Sequence, residues 1–355
     1  MKKTSFIFAI ISITCLITGI KTQAQIGGNS TYSFLNLSNS ARITAMGGHA
    51  FAIQDNDINL ALVNPSLINE AMNNHLSFSF VDYFADINYG YALYSKTFKK
   101  VGSFTGGAQY LNYGKFVLAD ETGQNLGNFT AADYCMNIGW GKSLDSTFSI
   151  GANLKGIYSK LEKYSSSGVA VDVAGTYNNP KNNFTASLLF SNIGRQIKPY
   201  TEGNYERLPF EIQIGLSKRL KHVPFRLSVV ATHLEKFDLT YESSVGVTPS
   251  VDPLTNEPTS PQRVSDIADK VMRHFVFGGE MLLSKNLNFR LGYNYQRRKE
   301  MKIESKDSTV GFSWGFGLRI SYFQFSFARS KQHLSNSPNT LTITTNLSNF
   351  IKKGK

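Results

Sequence analysis

The 355-residue sequence has little charge, little proline and almost no cysteine: 17% of its residues are charged, and it contains 10 Pro and 2 Cys. Aromatic residues make up 13%, and disordered chains have the opposite balance of few aromatics and high charge. Helical membrane proteins need runs of about 20 apolar residues, which a mean hydropathy of −0.20 does not suggest. Many glycines and aromatics with few prolines favour a chain of β-strands.

The N-terminus has the features of an export signal. A basic start at Lys2, an apolar stretch over 6–20 and a small residue at Ala24 predict a signal peptide over 1–24. The alternative is an uncleaved membrane anchor. Cleavage would leave Cys135 as the one cysteine, so no intramolecular disulfide could form.

The formal net charge is +12. Such an excess suggests an anionic partner, but it also fits a general basic bias. We favour the general bias, because the sequence contains no dense cluster of Lys and Arg.

Apolar residues alternate with small or polar ones along most of the chain after residue 74. This period of two is typical of β-strands with one apolar face. In 312–320, for example, Phe, Trp, Phe, Leu and Ile alternate with Ser, Gly, Gly and Arg. Fourteen strands are predicted, at 75–82, 86–96, 101–112, 130–142, 146–159, 169–177, 182–193, 209–220, 224–236, 273–283, 287–297, 309–319, 322–330 and 340–350.

The predicted connections alternate between short and long, except that the first on the long side, 83–85, is short. Short ones include 143–145 and 221–223, and long ones include 194–208 and 237–272. Outer-membrane barrels have short periplasmic turns and long extracellular loops, so the pattern predicts an all-β fold, an outer-membrane antiparallel β-barrel of about 14 strands over 75–350. A soluble β-sandwich or propeller also alternates, but neither explains turns that are short at one end only.

The segment 25–74 does not alternate. It is either a periplasmic extension or a plug inside the barrel, and we favour the plug because a barrel of fourteen strands is too wide to be filled by its own side chains. Asp55 and Asp57 could suggest a metal site. Two carboxylates in a neutral stretch more often cap a turn, so we predict no metal and no cofactor. Residues 351–355 form a short C-terminal tail.

Several strings of the sequence resemble one family. The plug segment carries Arg42, Gly47, Gly48, Asn64 and Pro65, a motif that is similar to that of PorV and the wider FadL-like barrels. The longer strings resemble the PorQ-like proteins of the type IX secretion system. They are YSFLNL (32–37), SAR (40–42), AMGG (45–48), DINLA (57–61), DYFADINYGY (82–91), YLNYG (110–114), DETG (120–123), NIG (192–194), YTEG (200–203) and LPFE (208–211).

This resemblance implies a FadL-like barrel with a role but no chemistry of its own. Its relatives sit in the outer membrane in one attachment complex with PorU, PorV and PorZ, and they are thought to hold PorZ at the cell surface. The complex joins cargo to anionic lipopolysaccharide, and the sortase-like step belongs to PorU. The alternative is a FadL-like outer-membrane transporter of hydrophobic small molecules.

The sequence offers no catalytic motif, and we expect no enzymatic activity. No HExxH, GxSxG or glycine-rich phosphate loop occurs. Cys135 lies on the small-residue face of a predicted strand, so a buried structural thiol is expected. No nucleic-acid motif is present. The histidines are scattered, at His49, His75, His222, His233, His274 and His333.

Three long connections, 113–129, 194–208 and 237–272, are predicted on the extracellular side. We expect them to form a docking platform for a surface partner, although they could simply cover the barrel mouth. The proposed contact residues are the hot-spot types Tyr200, Tyr205 and Arg207, and the acidic residues Asp238, Glu242 and Asp252, which would steer the encounter.

Overall fold

The computed structural model describes residues 30–38, 40–84, 86–240, 263–301, 309–332 and 337–350. The signal peptide, Glu242, Asp252, His333 and the tail 351–355 lie outside these residues. The strands are β1 (His75–Asp82), β2 (Asn88–Phe98), β3 (Gly102–Ala119), β4 (Asn125–Ser143), β5 (Phe148–Leu161), β6 (Tyr164–Asn179), β7 (Phe184–Lys198), β8 (Glu211–Arg219), β9 (Phe225–Ala231), β10 (Phe275–Met281), β11 (Leu287–Asn294), β12 (Phe312–Ile320), β13 (Phe323–Ser330) and β14 (Asn339–Asn346).

The strands form one closed barrel. Each strand pairs antiparallel with its neighbours in the chain, and β1 closes the ring by pairing with β14 from His75 opposite Asn346 to Asp82 opposite Asn339. The predicted fourteen-stranded antiparallel barrel is therefore confirmed. Closure leaves no sheet edge around the ring, which is what a sheet needs to lie in lipid.

The two faces of the wall differ as the alternation predicts. Outward rows are apolar, as in the cross-strand ladder of Tyr110, Tyr134 and Tyr158, which are 43–47% exposed. Inward positions are mostly small or polar, as at Ser77 and Thr342, with apolar exceptions such as Leu189 and Val276. An apolar exterior with tyrosines at the rim is the surface of an outer-membrane barrel. No helix in the described part of the chain is long and apolar enough to cross a membrane.

The wall is higher on one side than on the other. Strands β3–β7 have 14–19 residues, whereas the other nine have 7–11. The predicted loop 113–129 is wrong in part, because β3 and β4 continue through it as a ribbon with a turn at 120–124. The connection 160–168, between the predicted strands 146–159 and 169–177, is likewise mostly strand. Alternation weakens in these exposed extensions, because neither face is buried.

Helices replace strand or loop at the long-loop end. The predicted strand 287–297 ends at Asn294, and α4 (Tyr295–Met301) follows. The connection 237–272 ends in α3 (Arg263–Met272); α1 (Ala41–Ala45) and α2 (Ile58–Val63) lie earlier in the chain. The continued alternation of Tyr293 and Tyr295 suggested strand, but β11 pairs with β10 and β12 only up to Asn294.

The N-terminal segment fills the lumen as α1 (Ala41–Ala45), α2 (Ile58–Val63) and the 3-10 turns Ser33–Asn36, Pro65–Leu67 and Glu70–Met72. We call residues 30–74 the plug. It begins at the long-loop end, where the Thr31 amide donates to the Arg207 carbonyl (2.9 Å), and it ends where β1 begins, beside the short turns. Its core is apolar, with Phe51, Ile53 and Leu60 at most 1% exposed.

Candidate functional site

A buried ion network joins the plug to the wall around Arg42. The Arg42 guanidinium donates to Glu280 Oε1 (Nε, 2.8 Å) and Oε2 (Nη2, 2.9 Å), to Asp57 Oδ2 (Nη1, 3.0 Å) and to Asp55 Oδ2 (Nη2, 2.8 Å). Glu280 lies on β10, and the two aspartates lie on the plug. The predicted turn-capping role is confirmed, because Asp55 Oδ1 accepts from the Asp57 amide and Asp57 Oδ1 from the Asn59 amide. Both carboxylates are also ion-pair partners of Arg42.

Two wall arginines complete the network. Arg226 donates to Glu280 Oε2 at 2.7 Å, and Arg290 donates to Glu280 Oε1 at 2.9 Å. Together with Arg42, three guanidinium groups face the three carboxylates of Asp55, Asp57 and Glu280, so the buried charges balance. Buried charges are tolerated when they are paired and hydrogen-bonded. The sequence indicated Arg42 but gave no sign of its partners on β9, β10 and β11.

The helix cap and the glycine turn on either side of Arg42 orient its side chain towards the wall. The side chain of Ser40 caps α1 by accepting from the Ile43 amide, and α1 packs against β11–β14. Gly47 and Gly48 then turn the chain at φ +93° and +97°, a region that glycine adopts without a Cβ penalty. The wall glycine Gly292 receives this turn, because a Cβ there would clash with the Gly47 amide.

Asn64 and Pro65 form a second, uncharged contact. Asn64 Oδ1 accepts from the Ser66 amide (3.0 Å), and its Nδ2 donates to the Phe51 carbonyl (3.0 Å). The Ser66 and Thr176 hydroxyls lie 2.6 Å apart. Here too wall glycines make room, since a Cβ at Gly151 would clash with the Pro65 backbone.

A third polar contact was not predicted. Lys155 on β5 donates to Asp172 Oδ1 and to Asn192 Oδ1, both at 2.9 Å. Asn192, with φ +57°, sits at a bulge between β6 and β7 and donates to Asn36 of the plug (2.8 Å). A lysine on a small-residue face was a possible signal, because an inward charge needs a partner.

Tyrosines close the lumen at the long-loop end. Tyr32 of the plug hydrogen-bonds Ser166, and its ring lies 6.5 Å from that of Tyr200. Tyr113 donates to Asp133 Oδ2 (2.7 Å), and Tyr89 donates to the Ser38 carbonyl (2.7 Å). Buried phenols usually find such partners, so this end is sealed by apolar rings with satisfied hydroxyl groups.

The predicted platform residues do not all face outward. Tyr200 is one of the tyrosines that close the lumen, and it donates to Ser159 Oγ (2.5 Å). Its predicted position on the docking surface is therefore wrong, because its side chain points into the barrel. Tyr205 is 64% exposed, and Arg207 is also exposed. The sequence of this connection does not show whether Tyr200 or Tyr205 points inward, because the plug residue beside the inward ring, Tyr32, is distant in sequence.

Asp238 lies on the same rim but is held in an ion pair. Lys270 Nζ of α3 lies 2.6 Å from Asp238 Oδ2, and the hydrogen bond from Lys270 holds the pKa of Asp238 well below its usual range. Asp269 accepts from Lys299 and Arg273 (2.8 Å each) and from Tyr295. Burial raises the pKa of Asp269, but these hydrogen bonds outweigh it and lower the pKa to about 2.

The thiol and the histidines do not converge on one site. Cys135 is 1% exposed and packs with Leu111 and Ile157. His233 pairs with Glu235 (3.2 Å), and His274 bonds the carbonyl of Thr232 (2.7 Å). Among the described residues, no group of three or more His, Cys, Asp or Glu side chains could hold a metal ion.

The plug leaves two small cavities deeper in the lumen, besides open pockets of about 150 and 180 Å³ at the short-turn end. A cavity of about 50 Å³ lies between 35–38 of the plug and the wall near Lys155 and Asn192. A second, of about 10 Å³, lies near Phe34 and Tyr89. Such volumes hold a few water molecules, so neither cavity would hold a hydrophobic molecule of ordinary size.

No family model matches the sequence, and no curated protein matches it. Among solved structures, the Pseudomonas putida toluene transporter TodX is 9% identical with a TM-score of 0.48, covering 87% of this chain and 96% of that chain. A Pseudomonas aeruginosa FadL homologue is 9% identical with a TM-score of 0.48, covering 87% and 98%. The KdgM porin is 6% identical with a TM-score of 0.31, covering 76% and 98%. At these TM-scores the fold assignment rests on this chain's own strand pairing.

Proposed function

We propose that the protein is a non-enzymatic anchor in the outer membrane, a PorQ-like component of the type IX secretion attachment complex that holds a PorZ-like partner at the cell surface. The strings that resemble PorQ-like proteins support the identity of the complex. PorU and PorV are its further members in this proposal, and the transfer of cargo to lipopolysaccharide is left to PorU.

The filled lumen is the observation that carries the anchoring role. The plug is attached to the wall by the Arg42 network, by Asn64 and Ser66 at Thr176, and by Asn36 at Asn192. A transporter of hydrophobic molecules needs a continuous apolar path, whereas most buried wall side chains carry hydroxyl, amide or charged groups. The apolar ones, such as Leu189 and Val276, pack against the plug at Phe51. Passage would therefore require the plug to leave these buried partners, which is costly.

The partner surface in this proposal is the rim at the long-loop end. Tyr205 and Arg207 are exposed there, next to the beginning of the plug at Thr31. Helix α3 adds Ile267 (56% exposed) and Val271 (39% exposed). Exposed aromatic and arginine side chains are the residue types that carry most binding energy at interfaces.

A locked plug separates anchoring from transport. The Ser66 and Thr176 hydroxyls lie 2.6 Å apart, so Ser66→Cys with Thr176→Cys, made in a Cys135→Ser background, places two sulfurs within reach of a disulfide. We expect the locked barrel to keep the PorZ-like partner on the cell surface at the wild-type level. Each single cysteine variant is the control for the substitution itself.

Two results would overturn the anchoring role. The first is loss of the partner from the surface in the locked barrel and its return after reduction. The second is uptake of a hydrophobic compound that the open barrel supports and the locked barrel stops, which would establish the transporter instead. Affinity capture of the tagged protein from its native membrane shows whether PorZ-, PorU- and PorV-like proteins accompany it.

A further inference from the structure

The short-turn end of the barrel carries a group of basic side chains that the sequence keeps far apart. We call Lys181, Lys218, Arg219, Lys221 and Lys285 the basic arc. They lie on the β6–β7, β8–β9 and β10–β11 connections and the adjoining end of β8. These connections are neighbours in space, because the Arg219 amide donates to the Asn183 carbonyl (3.0 Å) and the Leu282 amide to the Pro224 carbonyl (2.7 Å).

The basic arc is uncompensated. All five side chains are exposed, and none forms an ion pair or a side-chain hydrogen bond with the described residues. The sequences 178–186, 214–225 and 281–289 contain no Asp or Glu. At the long-loop end the cations around α3 differ, since Lys270, Arg273 and Lys299 are paired with carboxylates.

Apolar surface adjoins these charges. Ile214, Leu216 and Lys218 form one outward row of β8, with Ile214 and Leu216 43% and 42% exposed. Val223 and Phe225 are 44% and 37% exposed on the next strand and its turn. An open groove of about 520 Å³ lies beside the turn, lined by Asn183, Arg219, Leu220, Lys221, His222, Val223 and Pro224.

We propose that the basic arc binds the phosphate groups of anionic phospholipids in the leaflet that faces the short turns. Continuity with the lipid-facing wall identifies a lipid as the occupant, because Lys218 ends the outward row of Ile214 and Leu216 and the other cations lie on the turns beside it. Lysine and arginine at such a border extend their charged ends to the headgroups, and each adds attraction to an anionic membrane surface. In a bacterial outer-membrane barrel this leaflet is the periplasmic one.

The basic arc also revises the interpretation of the net charge. The sequence shows no dense cluster because Lys181 and Lys285 are about a hundred residues apart. Antiparallel hairpins return every second connection to the same end of the barrel, so single lysines in successive short turns become neighbours. Part of the +12 charge is thus local, rather than a general bias of the chain.

The test compares two triple variants of the full chain, each purified in detergent and placed in nanodiscs that contain phosphatidylglycerol and phosphatidylcholine. The first is Lys218→Gln, Arg219→Gln and Lys221→Gln. The matched control removes the same charge from the long-loop rim as Lys160→Gln, Lys163→Gln and Lys198→Gln. Native mass spectrometry after release from the nanodisc counts the lipids that remain bound, and heat-modified mobility in gels verifies folding.

We expect wild type and the control to retain phosphatidylglycerol over phosphatidylcholine, and the first variant to lose this preference by on the order of 100-fold. Equal preference for both lipids in the wild type would overturn the proposal, and so would an equal loss in both variants. An unchanged lipid preference together with loss of an acidic periplasmic protein in pull-downs would assign the basic arc to a protein instead. A misfolded triple variant is replaced by Lys218→Gln alone, for which about a five-fold loss is expected.

Discussion

The plug meets two parts of the wall by different chemistry. Against β9–β11 it uses charge, with Arg42 in a balanced network of six ionised groups. Against β4–β6 it uses uncharged hydrogen bonds and close backbone contact, with Pro65 lying over Gly141 and Gly151. Both contacts fill space, but they respond differently to substitution, because a buried charge without its partner costs far more than a lost neutral hydrogen bond.

The charged contact should show the largest effect. Arg42→Met leaves three carboxylates facing two arginines in a buried site, so we expect a loss of about 3–5 kcal/mol in the free energy of unfolding. Urea unfolding in detergent micelles, followed by heat-modified mobility, measures it. Arg42→Lys keeps the charge but not the forked geometry of the guanidinium, so we expect its free energy of unfolding to lie between those of wild type and Arg42→Met. A midpoint for Arg42→Met close to that of wild type would show that the network does not hold the plug.

Much of the barrel could be predicted from the sequence, because lipid on one side and a packed lumen on the other impose a strict period of two. The same glycines that made the inward faces look merely small, such as Gly151 and Gly292, are the places where the plug backbone touches the wall. Whether such a glycine contacts the plug depends on which plug residue lies opposite it in the folded barrel. That pairing is set by the fold and leaves no local pattern in the sequence.

The uncharged contact should be most sensitive to added volume. Gly151→Ala places a Cβ against the Pro65 backbone, which cannot turn away as a side chain would. We expect a loss of about 1–3 kcal/mol, the usual range for overpacking, in the same unfolding assay. Gly175→Ala is the matched control on β6, where a Cβ meets nothing within 4 Å. Equal stability of the two variants would mean that the plug is loose at Pro65.

Removing a hydrogen bond at the same contact should cost less. Asn64→Ala removes the acceptor of the Ser66 amide and the donor to Phe51, and we expect a loss of about 1–2 kcal/mol. Asn69→Ala is the control, because Asn69 caps the Ala71 amide in the same way but is partly exposed. Similar losses for both would indicate that burial of the Asn64 site adds nothing.

The site was less predictable than the barrel. The plug motif indicated Arg42 and Asn64, but their partners Glu280 and Thr176 lie on strands that sequence spacing cannot order around them. Tyr200 and Tyr205 look alike in sequence, but Tyr200 points into the barrel and Tyr205 points into solvent. Residue type therefore indicated which side chains belong to the site, whereas the orientation of each side chain depended on its contacts with the plug.

The smallest effect should come from charges at the rim, where solvent screens them. Asp269→Asn should change the free energy of unfolding by less than about 1 kcal/mol, yet it should alter the pH response of α3. Hydrogen bonds from Lys299, Tyr295 and Arg273 lower the pKa of Asp269 from its ordinary 3.8 to about 2. A depressed carboxyl pKa contributes stability that is present above pH 4 and is lost as pH falls towards 2.

A nitroxide on Ala268→Cys, in a Cys135→Ser background, should therefore become more mobile between pH 4 and pH 2. With Asp269→Asn added, mobility should already be high at pH 5 and change little. The same acid response in both proteins would show that Asp269 does not fasten α3.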